Sequence, residues 1–373
     1  MAGRFIVDQK TFFSILSSMQ PICSKRTTID ATSSILFHVG HKELVLKSTD
    51  LEISLQATCS IEDSSFAQTE SFLVPGKRLF DIVKELEGAI ECTLENQQLL
   101  LQAGSVNLGL NIKNPEAFPP FPERIENLMH LEASFFAQLL DKVAFLIPQN
   151  NANPSLNGLF LELNADGLTM TTTDGHCLAQ IKTKKYTLEE DKRWLLPRRA
   201  IFEIKKIIDS SEQQTIFLGV CGNQLVFSGE SFNFFTKLLA DQFPQYRPIL
   251  QKDDFVPAIL DRSHFIKTLR RSSCLLSGQF LATKFSFDKE MLNVSMENKE
   301  VGNLNEQVPL QEFKGQEMAI RFYAPYLLNG LQAFSEKDIT CYLKNPTKPI
   351  IFQADKEDFQ ITYLVMPVSP TTN

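Results

Sequence analysis

The segment Val74-Pro-Gly-Lys-Arg-Leu-Phe-Asp-Ile-Val-Lys, residues 74–84, reads as a short amphipathic helix entered through a proline. At 100° per residue, its apolar side chains share one face and its cations lie opposite. The segment returns as Leu196-Pro-Arg-Arg-Ala-Ile-Phe-Glu-Ile-Lys-Lys, and more weakly as Phe322-Tyr-Ala-Pro-Tyr-Leu-Leu-Asn-Gly-Leu. A recurrence of this kind indicates that one structural unit is repeated along the chain.

Other landmarks repeat in the same order. An amphipathic helix behind an acidic residue begins near Asp8, Glu132 and Asp261. The pair Thr49-Asp50 returns as Thr173-Asp174, and Phe118-Pro-Pro-Phe-Pro returns as Phe243-Pro-Gln-Tyr-Arg. From the first unit to the second, every landmark recurs after about 124 residues, a regularity typical of tandem domains. We therefore expect three similar domains, at residues 1–124, 125–250 and 251–373.

Between these helices the hydrophobic pattern has a period of two, which predicts short strands. The predicted strands include the stretches beginning at Ile35, Leu44, Leu51, Leu99, Leu159, Leu168, Gln224 and Phe285. Each unit then combines two helices with several antiparallel strands, so the fold class is α+β.

Composition excludes some classes of protein. The 373 residues are 43% hydrophobic and carry a formal net charge of -7, which suits a globular chain with no overall basic character. The start resembles no signal peptide and no stretch approaches the roughly 20 apolar residues of a membrane span, so we expect a cytoplasmic protein. Seven scattered cysteines lack metal-ligand spacing and indicate reduced thiols, with no cofactor or metal.

The helix at 197–208 carries the main electrostatic signal. Arg198, Arg199, Lys205 and Lys206 fall in one sector, opposite Ala200, Ile201, Ile204, Ile207 and Ile208. The predicted helices at 77–86 and 261–273 repeat this separation. Cations gathered on helix faces of an acidic chain are typical of a protein that contacts the phosphate backbone. With no stacking motif among them, the contact would be blind to sequence.

Geometry adds a constraint on assembly. A domain of about 120 residues has a diameter of roughly 35 Å. Three touching spheres of that size leave a hole about 5 Å wide, whereas six leave one of about 35 Å. A duplex is roughly 20 Å across, so enclosing it takes two chains paired head to tail.

At this point the residues resemble a known family. The chain is similar to the bacterial sliding clamp, the beta subunit of DNA polymerase III holoenzyme. The resemblance is carried from end to end by Thr49-Asp-Leu-Glu, Val74-Pro-Gly-Lys, Leu156-Asn-Gly, Thr173-Asp-Gly-His, Phe243-Pro-Gln-Tyr-Arg and Val365-Met-Pro-Val. It implies three tandem domains of the DNA-clamp type, with two chains forming a six-domain ring around double-stranded DNA. It also implies a clamp loader, and a replicative polymerase subunit tethered through a peptide.

The resemblance implies three sets of site residues. A groove between domains 2 and 3 would take partner peptides through Leu156, Thr173, Gly175, His176, Leu178, Pro244, Ile249, Tyr326, Leu364, Met366, Pro367 and Val368. The DNA-facing positions would include Arg26, Lys77, Arg198, Lys205, Lys267 and Arg271. In the homodimer, Leu108 and Leu110 of one subunit would face Leu275 and Leu276 of the other.

At three positions the chain lacks basic residues that the family often has at the rim of the groove. Cys177 follows His176 where the family often has a basic residue, and Pro248 follows Arg247 where a second cation is common. Ser369 replaces a frequent cation near the C-terminus. The apolar half of the groove is intact, so apolar anchoring of partners is expected.

Two other classes of protein fit parts of the sequence. An enzyme would need convergent acids, bases or metal ligands, and the histidines and cysteines are too scattered for that. Asp174 and His176 suggest a dyad, but Asp50 occupies the equivalent repeat position, which favours a turn. A scaffold that binds only proteins would not need basic helix faces. We therefore expect a non-catalytic clamp.

Overall fold

The structure is a computed structural model that describes residues 3–23, 27–211, 213–276 and 281–368. Along the chain, one order of elements occurs three times: a strand, a helix, four strands, a second helix and three strands. This threefold recurrence confirms the repeat expected from the sequence, with two helices and antiparallel strands in each copy.

The elements are bounded as follows. The first copy has β1 (Gly3–Asp8), α1 (Gln9–Cys23), β2 (Ser34–Val39), β3 (Glu43–Thr49), β4 (Ile53–Ser60), β5 (Glu70–Pro75), α2 (Gly76–Val83), β6 (Ala89–Glu95), β7 (Gln98–Ala103) and β8 (Val106–Asn111). The second has β9 (Glu126–Glu132), α3 (Ala133–Val143), β10 (Gly158–Asn164), β11 (Gly167–Thr173), β12 (Cys177–Thr183), β13 (Lys192–Pro197), α4 (Arg198–Ser210), β14 (Thr215–Cys221), β15 (Gln224–Ser228) and β16 (Phe232–Lys237). The third has β17 (Val256–Asp261), α5 (Arg262–Ser273), β18 (Thr283–Phe287), β19 (Met291–Asn298), β20 (Gly302–Phe313), β21 (Met318–Phe322), α6 (Ala324–Leu331), β22 (Asp338–Leu343), β23 (Ile350–Asp355) and β24 (Gln360–Val365).

The chain divides into two compact units. The first comprises residues 1–137 and 199–238. It holds a four-stranded sheet in the order β1-β6-β7-β8 and an eight-stranded sheet in the order β5-β2-β3-β4-β16-β15-β14-β9. Strands β4 and β16 pair antiparallel, with Leu55 opposite Phe234, so strands of the first two copies share one sheet.

The second unit comprises residues 138–198 and 239–373. Its twelve strands form one sheet in the order β13-β10-β11-β12-β24-β23-β22-β17-β20-β19-β18-β21. Strands β12 and β24 pair antiparallel, with Leu178 opposite Leu364, so strands of the second and third copies join as β4 and β16 do.

The helices bury the faces that the sequence predicts. In α4 the apolar residues Ala200, Ile201, Ile204, Ile207 and Ile208 are buried. In α5, Phe265 and Leu269 are buried while Lys267 is exposed. Each fully buried large apolar side chain contributes about 1.5–3 kcal/mol, so these faces hold the helices to the sheets.

Two local predictions are confirmed and one is wrong. Asp8 and Asp261 accept hydrogen bonds from the amides of Thr11 and His264, as the expected helix caps. The strand predicted from Leu51 begins only at Ile53, because Leu51 has a φ of 75° and belongs to the preceding turn.

Among the described residues, two free strand edges carry exposed apolar residues. Strand β8 pairs only with β7. The first part of β20, up to Pro309, pairs only with β19. Val106 and Leu108 on β8 are 41% and 38% exposed, and Val301, just before β20, is 50% exposed. Edges of this kind can accept another strand.

The described residues also bear on the presence of membrane helices, metal sites and disulfides. None of their helices is long and apolar enough to cross a membrane. No group of three or more His, Cys, Asp or Glu residues within them could hold a metal ion. All seven cysteines are free, and five are buried, with Cys274 exposed.

Candidate functional site

A tight turn between β11 and β12 begins the site. The Thr173 hydroxyl donates to the Cys177 carbonyl at 2.5 Å and accepts from the Gly175 amide at 3.1 Å. One Asp174 oxygen accepts from the amides of His176 and Cys177 at 2.8 and 2.7 Å. Gly175 has a φ of 93°, a conformation that glycine adopts readily. Asp174 therefore shapes the turn, as its repeat position predicted.

The turn presents His176 to a wall of tyrosines. The His176 ring stacks on Tyr326 of α6 at a centroid distance of 5.5 Å and 17° between planes. Tyr323 lies edge-on to Tyr326 at 5.0 Å. The buried Tyr363 hydroxyl donates to the Tyr326 carbonyl at 2.9 Å. Burial, and then the nearby Asp174 charge, raise the pKa of Tyr326, so its hydroxyl stays protonated.

The floor beside the turn is apolar. Leu178 and Leu364 face each other across β12 and β24, and both belong to a cluster with Tyr246 and Ile351. Met366 packs against this cluster, and its amide donates to the His176 carbonyl at 2.9 Å. A methionine thus directly follows β24 and lies beside the turn. Flexible thioethers suit a surface that adapts to several ligands.

Residues 243–250, which we call the strap, cover part of this floor. Phe243 stacks on Phe160 of β10 at 4.9 Å, with 6° between the planes. Tyr246 meets both rings edge-on, at 5.8 Å from Phe243 and 6.5 Å from Phe160. Leu250 also packs on the cluster. The strap is therefore anchored by aromatic contacts that add to simple area burial.

The structure gathers most of the groove residues predicted from the sequence. Leu156 lies under the turn, since a Cβ at Gly175 would sit 3.7 Å from its Cδ1. Pro244 and Ile249 are exposed on the strap. Beyond Pro367, the Val368 amide donates to the Arg321 carbonyl at 2.8 Å. Leu156, Thr173, Gly175, His176, Leu178, Tyr326, Leu364 and Met366 are thereby connected through the turn, the tyrosine wall and the floor.

Sequence reasoning missed other residues that build the same surface. The cluster also takes in Phe160, Phe243, Leu250, Ile351 and Tyr342. The repeated Phe-Pro-x-x motif served only as a landmark of the repeat, and the resemblance placed only Pro244 and Ile249 of the strap in the groove. Its two aromatic residues, three positions apart, were a usable signal of packing. The partners on β10, β22 and β23 are distant in sequence and carry no such signal.

The predicted DNA-facing residues differ in how free they are. Lys77 and Lys267 are exposed, and neither forms an ion pair within the described chain. The Nε of Arg198 donates to the Ile147 carbonyl at 3.0 Å, and Lys205 pairs with Asp209 at 2.5 Å. Arg271 forms an ion pair with Glu306. Arg26 lies outside the described residues, as does Ser369.

The predicted dimer residues lie at two places. Leu108 and Leu110 project from the same face of the edge strand β8, opposite Leu101 and Leu99 of β7. Leu275 and Leu276 directly follow α5 and are half-buried. The Leu275 carbonyl accepts from the Asn298 side chain at 2.7 Å, which ties this segment to the end of β19.

Comparison with known proteins adds to this geometry. Family models of the DNA polymerase III beta subunit match end to end: the N-terminal domain at residues 3–122, the central domain at 130–245 and the C-terminal domain at 248–369. The beta sliding clamps of Staphylococcus epidermidis and Staphylococcus aureus are each 25% identical to the chain over 98% of both lengths.

Solved structures agree on the fold. A sliding clamp from Pseudomonas aeruginosa bound to griselimycin has a TM-score of 0.90 at 24% identity, covering 99% of this chain and 100% of that one. The sliding clamp of Bacillus subtilis has the same TM-score and the same coverage at 21% identity.

The threefold α+β repeat and its shared sheets define a protein of the DNA-clamp class. Because all three domain models match in order, the chain belongs to the DNA polymerase III beta subunit family. It is a sliding clamp, a processivity factor of DNA replication, and its family implies DNA and a polymerase as partners.

Proposed function

We propose that two copies of this chain encircle double-stranded DNA without reading its sequence. In this proposal the ring tethers the replicative polymerase subunit through the groove formed by the turn, the tyrosine wall, the floor and the strap. The clamp is non-catalytic and cytoplasmic, and a clamp loader places it on DNA. The domain boundaries lie near residues 124 and 250. The observation that carries the proposal is the apolar groove at the β12·β24 junction.

The groove suits an apolar peptide. Leu178, Leu364 and Met366 supply an adaptable floor, and His176 on Tyr326 supplies a flat wall. Anchors that fill such dry pockets provide most of the affinity in peptide recognition. Cys177 is buried, so it offers no charge at the rim, and the partner must be held chiefly through its apolar side chains.

The basic surface is weaker than the sequence alone indicates. Lys77 and Lys267 are free to meet phosphates, whereas Lys205 and Arg271 already have carboxylate partners. Each phosphate contact by a free cation adds to the salt dependence of binding. A small number of free cations at the predicted positions suits a clamp that is retained by enclosure and can slide.

The free edges of β8 and β20 support a head-to-tail homodimer. Strands of neighbouring copies already pair within the chain, at β4·β16 and β12·β24. The equivalent pairing between chains would join β8 to the start of β20 in the same antiparallel manner. By repeat position, Leu110 would lie opposite Val301 of the partner subunit, and the exposed apolar residues of both edges would be covered.

Peptide binding tests the groove. The probe is a fluorescein-labelled peptide containing the clamp-binding segment of the replicative polymerase subunit, measured by fluorescence anisotropy. We expect Met366→Lys to abolish binding while the assembly keeps its mass, because a charge would enter the apolar floor. Met318→Lys on the edge strand β21 is the matched control. Unchanged affinity for Met366→Lys would place the groove elsewhere.

Topology tests the ring. The clamp, placed on circular DNA by a clamp loader with ATP, should be retained and should be lost when the circle is linearised. Equal retention on both forms contradicts enclosure. In dilute solution the wild-type mass should be that of two chains, and Leu108→Glu should shift it to one, since the charge opposes edge pairing.

A further inference from the structure

A buried carboxylate lies beneath the strap. Glu162 of β10 has a side chain only 6% exposed. The Tyr246 hydroxyl donates to one of its oxygens. Arg247 donates to the other at 2.8 Å, and Arg193 lies 3.8 Å from that same oxygen. A buried carboxylate is tolerated only when it is paired and hydrogen-bonded in this way.

Two of these partners are consecutive residues of the strap. Burial, and then the hydrogen bond to Glu162, raise the pKa of Tyr246, so its hydroxyl stays protonated as a donor. The Glu162 charge is the main cause of the raised pKa of Arg247. One carboxylate thus holds two adjacent strap residues, through a neutral and a charge-assisted hydrogen bond.

Because Glu162 holds Tyr246 and Arg247, it also fixes the neighbouring strap residues that face the groove. Its last four residues, Arg247–Leu250, form a 3-10 turn in which the Ile249 amide donates to the Tyr246 carbonyl at 3.1 Å. The direction of the exposed Ile249 therefore follows the position of Tyr246. Pro244, also exposed, lies between Phe243 and Tyr246, both of which are fixed by the aromatic stack on Phe160.

Glu162 lies beside the floor and is not among the residues of the apolar cluster. It lines an open cavity of about 810 Å³ together with Gln180, Lys182 and Tyr246, and this cavity adjoins the floor at Leu250 of the strap. On β12, Leu178 of the floor and Gln180 of the cavity share a face at successive positions, roughly 7 Å apart along the strand. If Glu162 were lost, Tyr246 and Arg247 would face this open cavity and water. The fold would then survive while the strap loosened.

We infer that Glu162 is a positioning residue for the partner-peptide groove: it fixes the strap, and with it Pro244 and Ile249, without touching the ligand. The inference rests on the proposed function of the groove. A preorganised strap raises affinity because less conformational freedom is lost on binding.

The test compares Glu162→Leu, Glu162→Gln and Tyr246→Phe by peptide anisotropy and by hydrogen exchange on the free protein. We expect Glu162→Leu to weaken binding about tenfold, Tyr246→Phe to weaken it similarly, and the double variant to be no worse than either, as for residues in one network. Glu162→Gln keeps an acceptor for Tyr246 and should recover much of the affinity. Glu357→Gln, in the same cavity, is the matched control and should bind like the wild type.

Hydrogen exchange distinguishes a local loosening of the strap from a general destabilisation of the sheet. In Glu162→Leu, the amides of residues 245–250 should exchange faster while those of β10 to β12 keep their protection. Wild-type affinity in Glu162→Leu, or faster exchange throughout β10 to β12, would overturn the inference. If the wild type binds no peptide, the proposed groove fails. The exchange of the strap then still decides whether Glu162 holds it.

Discussion

Strands of neighbouring copies pair at two places in the chain, β4 with β16 and β12 with β24. The turns at these two junctions have the same hydrogen bonds, but different side chains approach them. In the first unit, Asp50 accepts from the amides of Glu52 and Ile53 at 3.0 and 2.8 Å. In the second, Asp174 does the same for His176 and Cys177. Even the left-handed residue recurs, as Leu51 and Gly175. The backbone turn is therefore a property of the repeat and by itself makes no binding site.

The difference lies in what approaches each turn. The second oxygen of Asp50 forms an ion pair with Arg199 of α4, which also donates to the Pro21 carbonyl at 2.8 Å. At the repeat position of Arg199, α6 has Pro325, and the neighbouring Tyr326 stacks on His176. One turn is closed by a salt bridge, and the other is left beside an aromatic wall. A few side chains decide which junction can take a ligand.

The largest expected effect comes from the two aspartates. Asp50→Ala leaves Arg199 without its carboxylate and should lower the free energy of unfolding by about 3 kcal/mol. Asp174→Ala removes only turn hydrogen bonds and should cost about 1 kcal/mol. Urea denaturation of both variants measures the difference. Equal costs would mean that the Arg199 ion pair does not distinguish the junctions.

The second expected effect concerns the close packing of α6. A Cβ at Gly330 would collide with the Tyr363 ring, whereas α4 carries Ile204 at the same repeat position. Gly330→Ala should therefore lower stability by about 2 kcal/mol through overpacking, despite the better helix propensity of alanine. Because Tyr363 bonds to Tyr326, peptide affinity should fall as well. Gly40→Ala, which meets only ordinary contacts, is the control, and equal urea midpoints would contradict the prediction.

The smallest expected effect is a dependence on pH. Burial raises the pKa of Asp50, but hydrogen bonds from Arg199 and the Ile53 amide outweigh it, and the net pKa lies below the ordinary value. The charged form therefore contributes stability above about pH 4, and this contribution is lost as pH falls through the folded-state pKa. In Asp50→Asn, the free energy of unfolding, measured by urea denaturation, should depend on acid pH less steeply, by up to about 1.4 kcal/mol per pH unit. Parallel curves for wild type and variant would refute this.

The fold was largely predictable because its signals are local. The amphipathic helices, the caps at Asp8 and Asp261, and the repeated turns each rest on residues within a few positions of one another. The early start assigned to β4 was wrong because Leu51 looks like a strand residue, and its positive φ is set by hydrogen bonds across the turn.

The site was only partly predictable, because its contacts join distant residues. Family resemblance supplied the groove residues on the turn and on β24. Arg199 was read as one more outward cation, since its partner Asp50 lies 149 residues away. Glu162 drew no attention, because its charge is matched by Tyr246 and Arg247 more than 80 residues later. Nothing in the local pattern distinguishes such a carboxylate from one on the surface.

The free edges of β8 and β20 have a further consequence for assembly. A head-to-tail contact has no built-in limit on the number of subunits, since every added chain offers a fresh edge at each end. In the proposed homodimer, closure after two chains requires the β8 edge of each chain to meet the β20 edge of the other in register. A variant that tilted one of these edges would prevent that closure, and the same strand pairing would then continue from chain to chain into helical polymers.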